Sequence, residues 1–440
     1  MDRTTPTFNL KAVVQETGVK PDTLRAWERR YGLPDPNRSA GGHRLYSQRD
    51  IDTLRWLLAR QEEGLSISRA VKLWRQVENE EGDPLQSLQY SLIDSNRAAP
   101  VLSGEEISSA REKWMDACLD FNERSAEQIL AQAFALFPVE VVCLEVLQRG
   151  IGEIGEGWYK GRVSVQQEHF ASVLAVRKLE SILASTPPPQ RAGRILLAGA
   201  AEENHTIGQL VFQLLLRRKG WETVDWGANI PLLRLEESLD AVRPQLVVLT
   251  AQQLYTAARL QTMANNLVHT GIPVAYAGRA FVHMPELCSR IRGHYLGDTL
   301  QQAVEKVETL IPLAPPLAEV SPVSPAYLRA LTHFQSKATT IQAHVMSMRD
   351  RFETQPSPIE IAGLNLTRSI FAALQLGDID LVRGEIDWIR GLLHNFEIAE
   401  SHLVRFFNSY HQMAHQVLGA DGQPVLDWLD KTRDELQRAP

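Results

Sequence analysis

Apolar positions in the first eighty residues recur at helical spacing. In FNLKAVVQETGVKPDTLRAWERRYGL, Leu10, Val13 and Val14 form one stripe and Gly18 interrupts it. Leu24 and Trp27 begin a second stripe that leaves Arg25, Arg29 and Arg30 on the outer face. Pro21 and Thr23 suit the start of that second helix, where a missing N–H costs nothing. In the next stretch, PDPNRSAGGHRLYS, Pro34, Pro36, Gly41 and Gly42 exclude helix, and HRLY predicts one strand of a short β-ribbon. Helical periods return over 48–62 and 66–78, which completes the pattern of a winged helix-turn-helix over residues 1–78.

The pattern then weakens. Residues 79–103 mix acids, Gly, Pro and Ser and read as a linker. Amphipathic periods over 104–188 predict a bundle of roughly four helices, ended by STPPPQRAG. From 189 to 313 short apolar runs at 194–199, 222–226, 245–250, 273–277 and 294–296 alternate with helical stretches, which predicts a doubly wound parallel sheet. Ligands of such sheets sit beyond the carboxyl ends of the strands. The EENHTIG stretch follows the first of these strands and puts His205 in that position. A Pro-rich linker over 314–327 leads to long helical patterns over 328–440, an extra C-terminal helical domain. The fold class expected is therefore multidomain, α together with α/β.

Composition adds three constraints. Hydrophobic residues at 44% and charged residues at 22% are ordinary for a globular protein. There is no apolar run of membrane-spanning length, and MDRTTPTFNL lacks an export signal, so the expected location is the cytoplasm and no membrane partner is expected. Residues 1–75 carry 14 Lys and Arg against 9 Asp and Glu, a net +5, while the rest of the chain carries −12 of the overall −7. Only the amino-terminal end is thus suited to a polyanion. Cys118, Cys143 and Cys288 are far apart and form no C-x-x-C pair, which fits buried thiols rather than disulfides or a thiolate zinc site.

TLRAWERRYGL followed by GGHRLYS resembles the DNA-binding domain of MerR-family regulators over residues 7–78. The resemblance implies that the second helix enters a major groove of double-stranded operator DNA with Thr23, Arg25, Arg29 and Arg30. The wing would contribute Arg38, His43, Arg44 and Tyr46. It also implies a homo-oligomer, a dimer or a tetramer, on a near-palindromic site, and competition with RNA polymerase there.

Glu203, His205 and Gly208 form E-x-H-x-x-G, close to the D-x-H-x-x-G pattern by which cobalamin-binding modules supply the lower cobalt ligand. An imidazole suits cobalt, a neighbouring carboxylate orients the ring, and glycine leaves room for the corrin tail. The likeness extends to Thr250, where serine is usual, and to Ala277-Gly278, where Gly-Gly is commoner. Independently, Trp158 followed by nine residues and then Glu168-His169 resembles the cobalamin cap of CarH-type light-responsive repressors. Together the motifs imply a flavodoxin-like cobalamin-binding domain, adenosylcobalamin as cofactor, His205 as the metal ligand, and an apolar Trp158 wall on the upper face. By the same resemblance the oligomer holds DNA in darkness and lets go in light. Tyr159 departs from the family, whose members commonly carry histidine after the tryptophan. A phenol of pKa about 10 is a poor cobalt ligand at neutral pH.

Other readings stay open at this point: a regulator of cobalamin availability or redox state without photochemistry, a cobalamin-dependent enzyme or methyl carrier, or a metal-sensing MerR protein short of thiolates. An enzyme needs a substrate chamber, for which these modules leave no element, so no enzymatic activity is expected. His411 and His415 stand one helical turn apart but without a nearby acid in sequence, which points to a packed or solvated face. The C-terminal domain is expected to serve interaction or oligomerisation before it serves a second, noncovalent chromophore.

Overall fold

The computed structural model describes residues 5–17, 19–38, 44–62, 67–80, 104–313, 315, 317, 320–347, 358–396 and 398–438. They belong to two compact units, Met1–Val101 and Leu102–Pro440. The linker expected over 79–103 lies outside the described residues from 81 onward, as do parts of the Pro-rich segment.

The first unit runs β1 (Pro6–Asn9), α1 (Leu10–Thr17), α2 (Pro21–Tyr31), β2 (Asn37–Arg38), β3 (Arg44–Ser47), α3 (Gln48–Glu62) and α4 (Ile67–Glu80). Val13, Leu24, Trp27, Leu54 and Leu57 share its core with Trp56 and Trp74, which meet edge to face. The ribbon expected between α2 and α3 is present as β2 and β3, with Arg38 opposite Arg44. Strand β1 was not legible, because four residues are too few to show alternation. It exists through pairing with β3, where Phe8 lies opposite Tyr46. Asn9 then ends it and accepts the Ala12 N–H at 2.9 Å, which starts α1.

The second unit begins with a helical bundle: α5 (Gly104–Leu119), α6 (Glu123–Leu136), α7 (Val139–Val141) continuing through a π-helical Val142–Gln148 into α8 (Arg149–Tyr159), and α9 (Val165–Ala184). Ser164 opens α9 with a reciprocal capping box to Gln167. Five parallel strands follow: β4 (Arg194–Gly199), β5 (Glu222–Asp225), β6 (Leu246–Thr250), β7 (Val274–Ala277) and β8 (His294–Tyr295). Their order is β5-β4-β6-β7-β8, a flavodoxin-like arrangement. The helices between and after them are α10 (Ile207–Arg218), α11 (Leu235–Val242), α12 (Leu254–Leu267), α13 (Arg279–His283) and α14 (Leu300–Leu313).

Side-chain alternation divides the sheet into two faces. Ile195, Leu197 and Val248 pack with α10, α14 and the bundle. Leu196, Ala198, Val247 and Leu249 pack on α12, and that core continues into the C-terminal helices α15 (Pro325–Ser347), α16 (Pro358–Leu376), α17 (Arg383–Asn395), α18 (Glu400–Leu418) and α19 (Gln423–Arg438). The unbroken helical pattern over 378–419 divides into α17 and α18 around Phe396–Ala399. Both helices present the same kind of apolar face to one core, so periodicity alone does not reveal the reversal. Among the described residues no helix is long and apolar enough to cross a membrane.

Candidate functional site

Strand order reverses between β4 and β6, so the loops leaving their carboxyl ends part and open a crevice. The loop after β4 carries Glu203 and His205. Glu203 is 1% exposed, and each of its oxygens has two partners. Oε1 accepts the His205 backbone N–H at 2.9 Å and lies 2.6 Å from Nδ1 of the same residue. Oε2 accepts the Gln252 N–H at 2.6 Å and the Thr256 hydroxyl at 2.8 Å. Burial pushes the carboxyl pKa up, but the bonds from the His205 side chain and backbone and from Gln252 outweigh it and hold the pKa below the usual glutamate value. The same bond to Glu203 raises the His205 pKa against desolvation. With Nδ1 committed to the carboxylate, Nε2 is the ring atom left for a ligand, on a side chain that is 61% exposed.

Gly208, in the first turn of α10, has open space where a β-carbon would stand. Gly278, at φ +134°, lets the end of β7 cross the end of β6, because a β-carbon there would lie 2.0 Å from the Ala251 carbonyl oxygen. Thr250 differs from expectation. It is 6% exposed and its hydroxyl donates to Gln209 Oε1 at 2.9 Å, so it braces the floor of the crevice instead of lining it. Gln209 in turn donates to Asp225 at 2.6 Å and ties β5 to the same floor. Sequence spacing gave no sign of Gln209 in α10, Gln252 in the loop after β6 or Thr256 in α12.

These residues fit a corrin. A corrin brings most of its metal's donors with it and would need only one more from the protein, and the crevice offers one oriented imidazole beside an open glycine. Trp158 is half-buried at the end of α8, packed against the core that the bundle shares with α10. Glu168 and His169 lie in the first turn of α9, with His169 Nδ1 2.8 Å from Glu168 Oε2 and the Ser172 hydroxyl donating to Oε1 at 2.8 Å. Glu168 is close enough that its charge adds to the rise in the His205 pKa. Tyr159 takes another direction. A β-carbon at Gly391 of α17 would stand 3.4 Å from its ring, and burial pushes its phenol up to about 12.

The C-terminal histidines acquire the acid that sequence spacing did not supply. Asp430 of α19 lies 2.6 Å from His411 Nε2 and 3.1 Å from His415 Nε2. The three are close enough to share an ion, but Arg433 places a guanidinium nitrogen 3.2 Å from the same His411 nitrogen. That cation occupies the ground a metal would need, and the group acts as a polar tie between α18 and α19.

On the first unit Thr23, Arg25, Arg29 and Arg30 are all exposed on α2. Arg25 has a 3.4 Å ion pair with Asp22, and Arg30 lies over the Tyr31 ring. Tyr46 departs from its expected role. It is fully buried, and its hydroxyl donates to Glu28 at 2.7 Å, so it has no surface to offer DNA. Arg44 Nε donates to the other oxygen of Glu28 at 2.7 Å. Glu28, which sequence spacing does not single out, therefore fixes the wing strand to that helix. The backbone of Arg38 lies in β2 but its side chain is outside the described residues, as is His43.

Comparison with known proteins matches residues 8–77 to the MerR HTH family regulatory protein model and residues 110–182 to the B12 binding domain model. The HTH-type transcriptional repressor CarH of Myxococcus xanthus is 28% identical over 291 residues, 66% of this chain and 94% of that protein. The HTH-type transcriptional repressor CarA of the same organism is 32% identical over 250 residues, 56% of this chain and 76% of that protein. Trimethylamine corrinoid protein 1 of Methanosarcina acetivorans is 24% identical over 178 residues, 39% of this chain and 81% of its own length.

Proposed function

The chain belongs to the family of HTH-type transcriptional repressors that includes CarA, and from that premise we propose that it is a light-sensing repressor using adenosylcobalamin. It is a cobalamin-binding transcriptional regulator and not an enzyme. The observation that carries the proposal is His205 in the loop after β4, its Nδ1 held 2.6 Å from the buried Glu203 carboxylate and its side chain 61% exposed.

His205 would hold the cofactor from below through Nε2, with Gly208 giving the tail its passage and Gly278 keeping the strand ends close. Trp158 would wall the upper face, and Glu168 and His169 would hydrogen-bond the upper group. Bound adenosylcobalamin supplies a photolabile cobalt–carbon bond. The chain's part is to bind the dark and the lit forms with different affinity, since only a differential interaction shifts an equilibrium. In darkness the loaded protein would hold double-stranded operator DNA as a homo-oligomer, a dimer or a tetramer, in the cytoplasm, through Arg25, Arg29 and Arg30 of α2, and compete there with RNA polymerase. Light would release it. The domain limits of this reading are 1–78 for DNA binding, 104–188 for the cap, 189–313 for the cobalamin fold and 328–440 for the C-terminal helices.

A second reading, a regulator of cobalamin availability or redox state without photochemistry, is favoured by Tyr159, whose ring is engaged by α17. One experiment separates the two: oligomeric mass and operator retardation of the adenosylcobalamin-loaded chain, in darkness and after green light. Loss of mass and of DNA binding on illumination supports the light-sensing repressor. Unchanged mass and affinity would defeat it and leave the second reading.

A further inference from the structure

Neither matched family model reaches beyond residue 182, yet the C-terminal helices touch both sides of the crevice. On the cap side, Asn395 Nδ2 at the end of α17 donates to the Trp158 carbonyl at 2.5 Å. Two glycines let the backbones meet here. A β-carbon at Gly391 would lie 2.9 Å from the Tyr159 carbonyl oxygen, and one at Gly161, whose φ is +69°, would lie 2.7 Å from Asn395 Oδ1. On the sheet side, Gln375 of α16 donates to the Ala258 carbonyl at 2.7 Å and the Thr262 hydroxyl at 3.0 Å. Both acceptors are on α12. Arg368 of α16 lies over the Tyr255 ring in the first turn of α12, and Thr256, one residue on, donates to Glu203.

We propose that the C-terminal helical domain is a clamp across the two halves of the cobalamin crevice, which positions Trp158 through Asn395 and Gly391 and receives any displacement of the cap against the sheet. Asn395 and Gly391 act through the backbone of the Trp158–Gly161 turn and are positioning residues. An open cleft of about 430 Å³ runs beside the seam, lined in part by Tyr159, Lys160, Asp387 and His394. Asn395 Oδ1 is buried without a hydrogen-bond partner, so the amide is held for its Nδ2 contact with one polar atom unsatisfied. A packed element able to take two arrangements is what turns a small movement at a ligand into a change elsewhere.

The inference rests on the cobalamin reading for its signal but not for its contacts, and the test separates the two. Amide hydrogen exchange is measured on the full chain, without cofactor and with hydroxocobalamin, for the parent, Gly391→Val and Asn395→Ala. Without cofactor, both variants should speed exchange over residues 157–161 by about tenfold, the effect of one lost tertiary contact, while β6 and β7 exchange as in the parent. Hydroxocobalamin should slow exchange over residues 383–395 in the parent and do so less in either variant. If 157–161 exchanges alike in all three proteins, the clamp is overturned. If Gly391→Val loosens all five C-terminal helices, Asn395→Ala decides alone, since it removes the amide and leaves the helix intact. If hydroxocobalamin does not bind the parent, the cobalamin reading fails and the cofactor-free comparison still decides the clamp.

Discussion

Replacing Glu203 by glutamine tests the site with the least change of shape. The carboxylate takes four donors, two on each oxygen. A glutamine amide keeps one oxygen and turns its NH2 toward the other pair, so two donors would face donors in a position 1% exposed. Hydrogen bonds to a charged partner contribute about 1.5–3 kcal/mol each, so the loss is about 3–6 kcal/mol before relaxation and roughly half that after it. Differential scanning calorimetry of the cofactor-free chain should show the second unit melting about 2–4 °C lower. Because the folded pKa of Glu203 lies below its unfolded value, its contribution is present at neutral pH and is lost as pH falls through the folded pKa, so the gap between parent and variant narrows in acid. Hydroxocobalamin affinity, followed by absorbance, should fall by about 10–100-fold, as for loss of a partner that orients a metal ligand. His205→Ala gives the contrast. It removes one of the four donors and leaves the other three on the carboxylate, so melting should fall by less than in Glu203→Gln while cobalamin binding is lost. A Glu203→Gln protein that melts with the parent and binds cobalamin as tightly would refute the reasoning.

Further outcomes follow from other parts of the chain. Burial pushes Glu385, a half-buried residue of α17, up to about 7. Its folded pKa exceeds the unfolded value, so its contribution is present in acid and is lost as pH rises toward 7. Glu385→Gln should therefore be near neutral at about pH 5 and stabilise by about 1–3 kcal/mol at about pH 8, read from denaturant midpoints. Glu28→Gln should loosen the wing by about 1–2 kcal/mol, because Arg44 and Tyr46 both hydrogen-bond its carboxylate, and the first unit should melt earlier. Arg29→Ala should weaken operator retardation and reduce its salt dependence by about one counterion, whereas Tyr46→Phe should leave the salt dependence unchanged.

The parallel sheet was legible because each strand is a short apolar run between helical stretches, and the position of His205 followed from the rule that such sheets bind ligands at their carboxyl ends. What holds His205 in place was not. Gln252 and Thr256 reach Glu203 from 49 and 53 residues away, and no local spacing encodes that meeting. Thr250 and Tyr46 illustrate a related limit. Each sits at a strand position where period-two patterning allows either face, and a polar partner on a neighbouring helix, Gln209 or Glu28, holds the orientation. Asp430 completes the histidine pair from a neighbouring helix for the same reason. The role of the C-terminal helices depends on contacts with Trp158 and Ala258, far away in sequence, and periodicity describes only a helix's own face.

The central claim, that the imidazole of residue 205 is the axial donor to a bound cobalt, has a direct spectroscopic test. The full chain is prepared with histidine labelled with the heavier, spin-one-half nitrogen isotope, loaded with unlabelled cob(II)alamin, and its electron paramagnetic resonance is recorded beside that of unlabelled protein. The account predicts that the nitrogen splitting changes from triplets to doublets on labelling, and that His205→Ala abolishes the change. Triplets that persist in the labelled protein would mean that the cofactor keeps its own base and that His205 does not hold the metal.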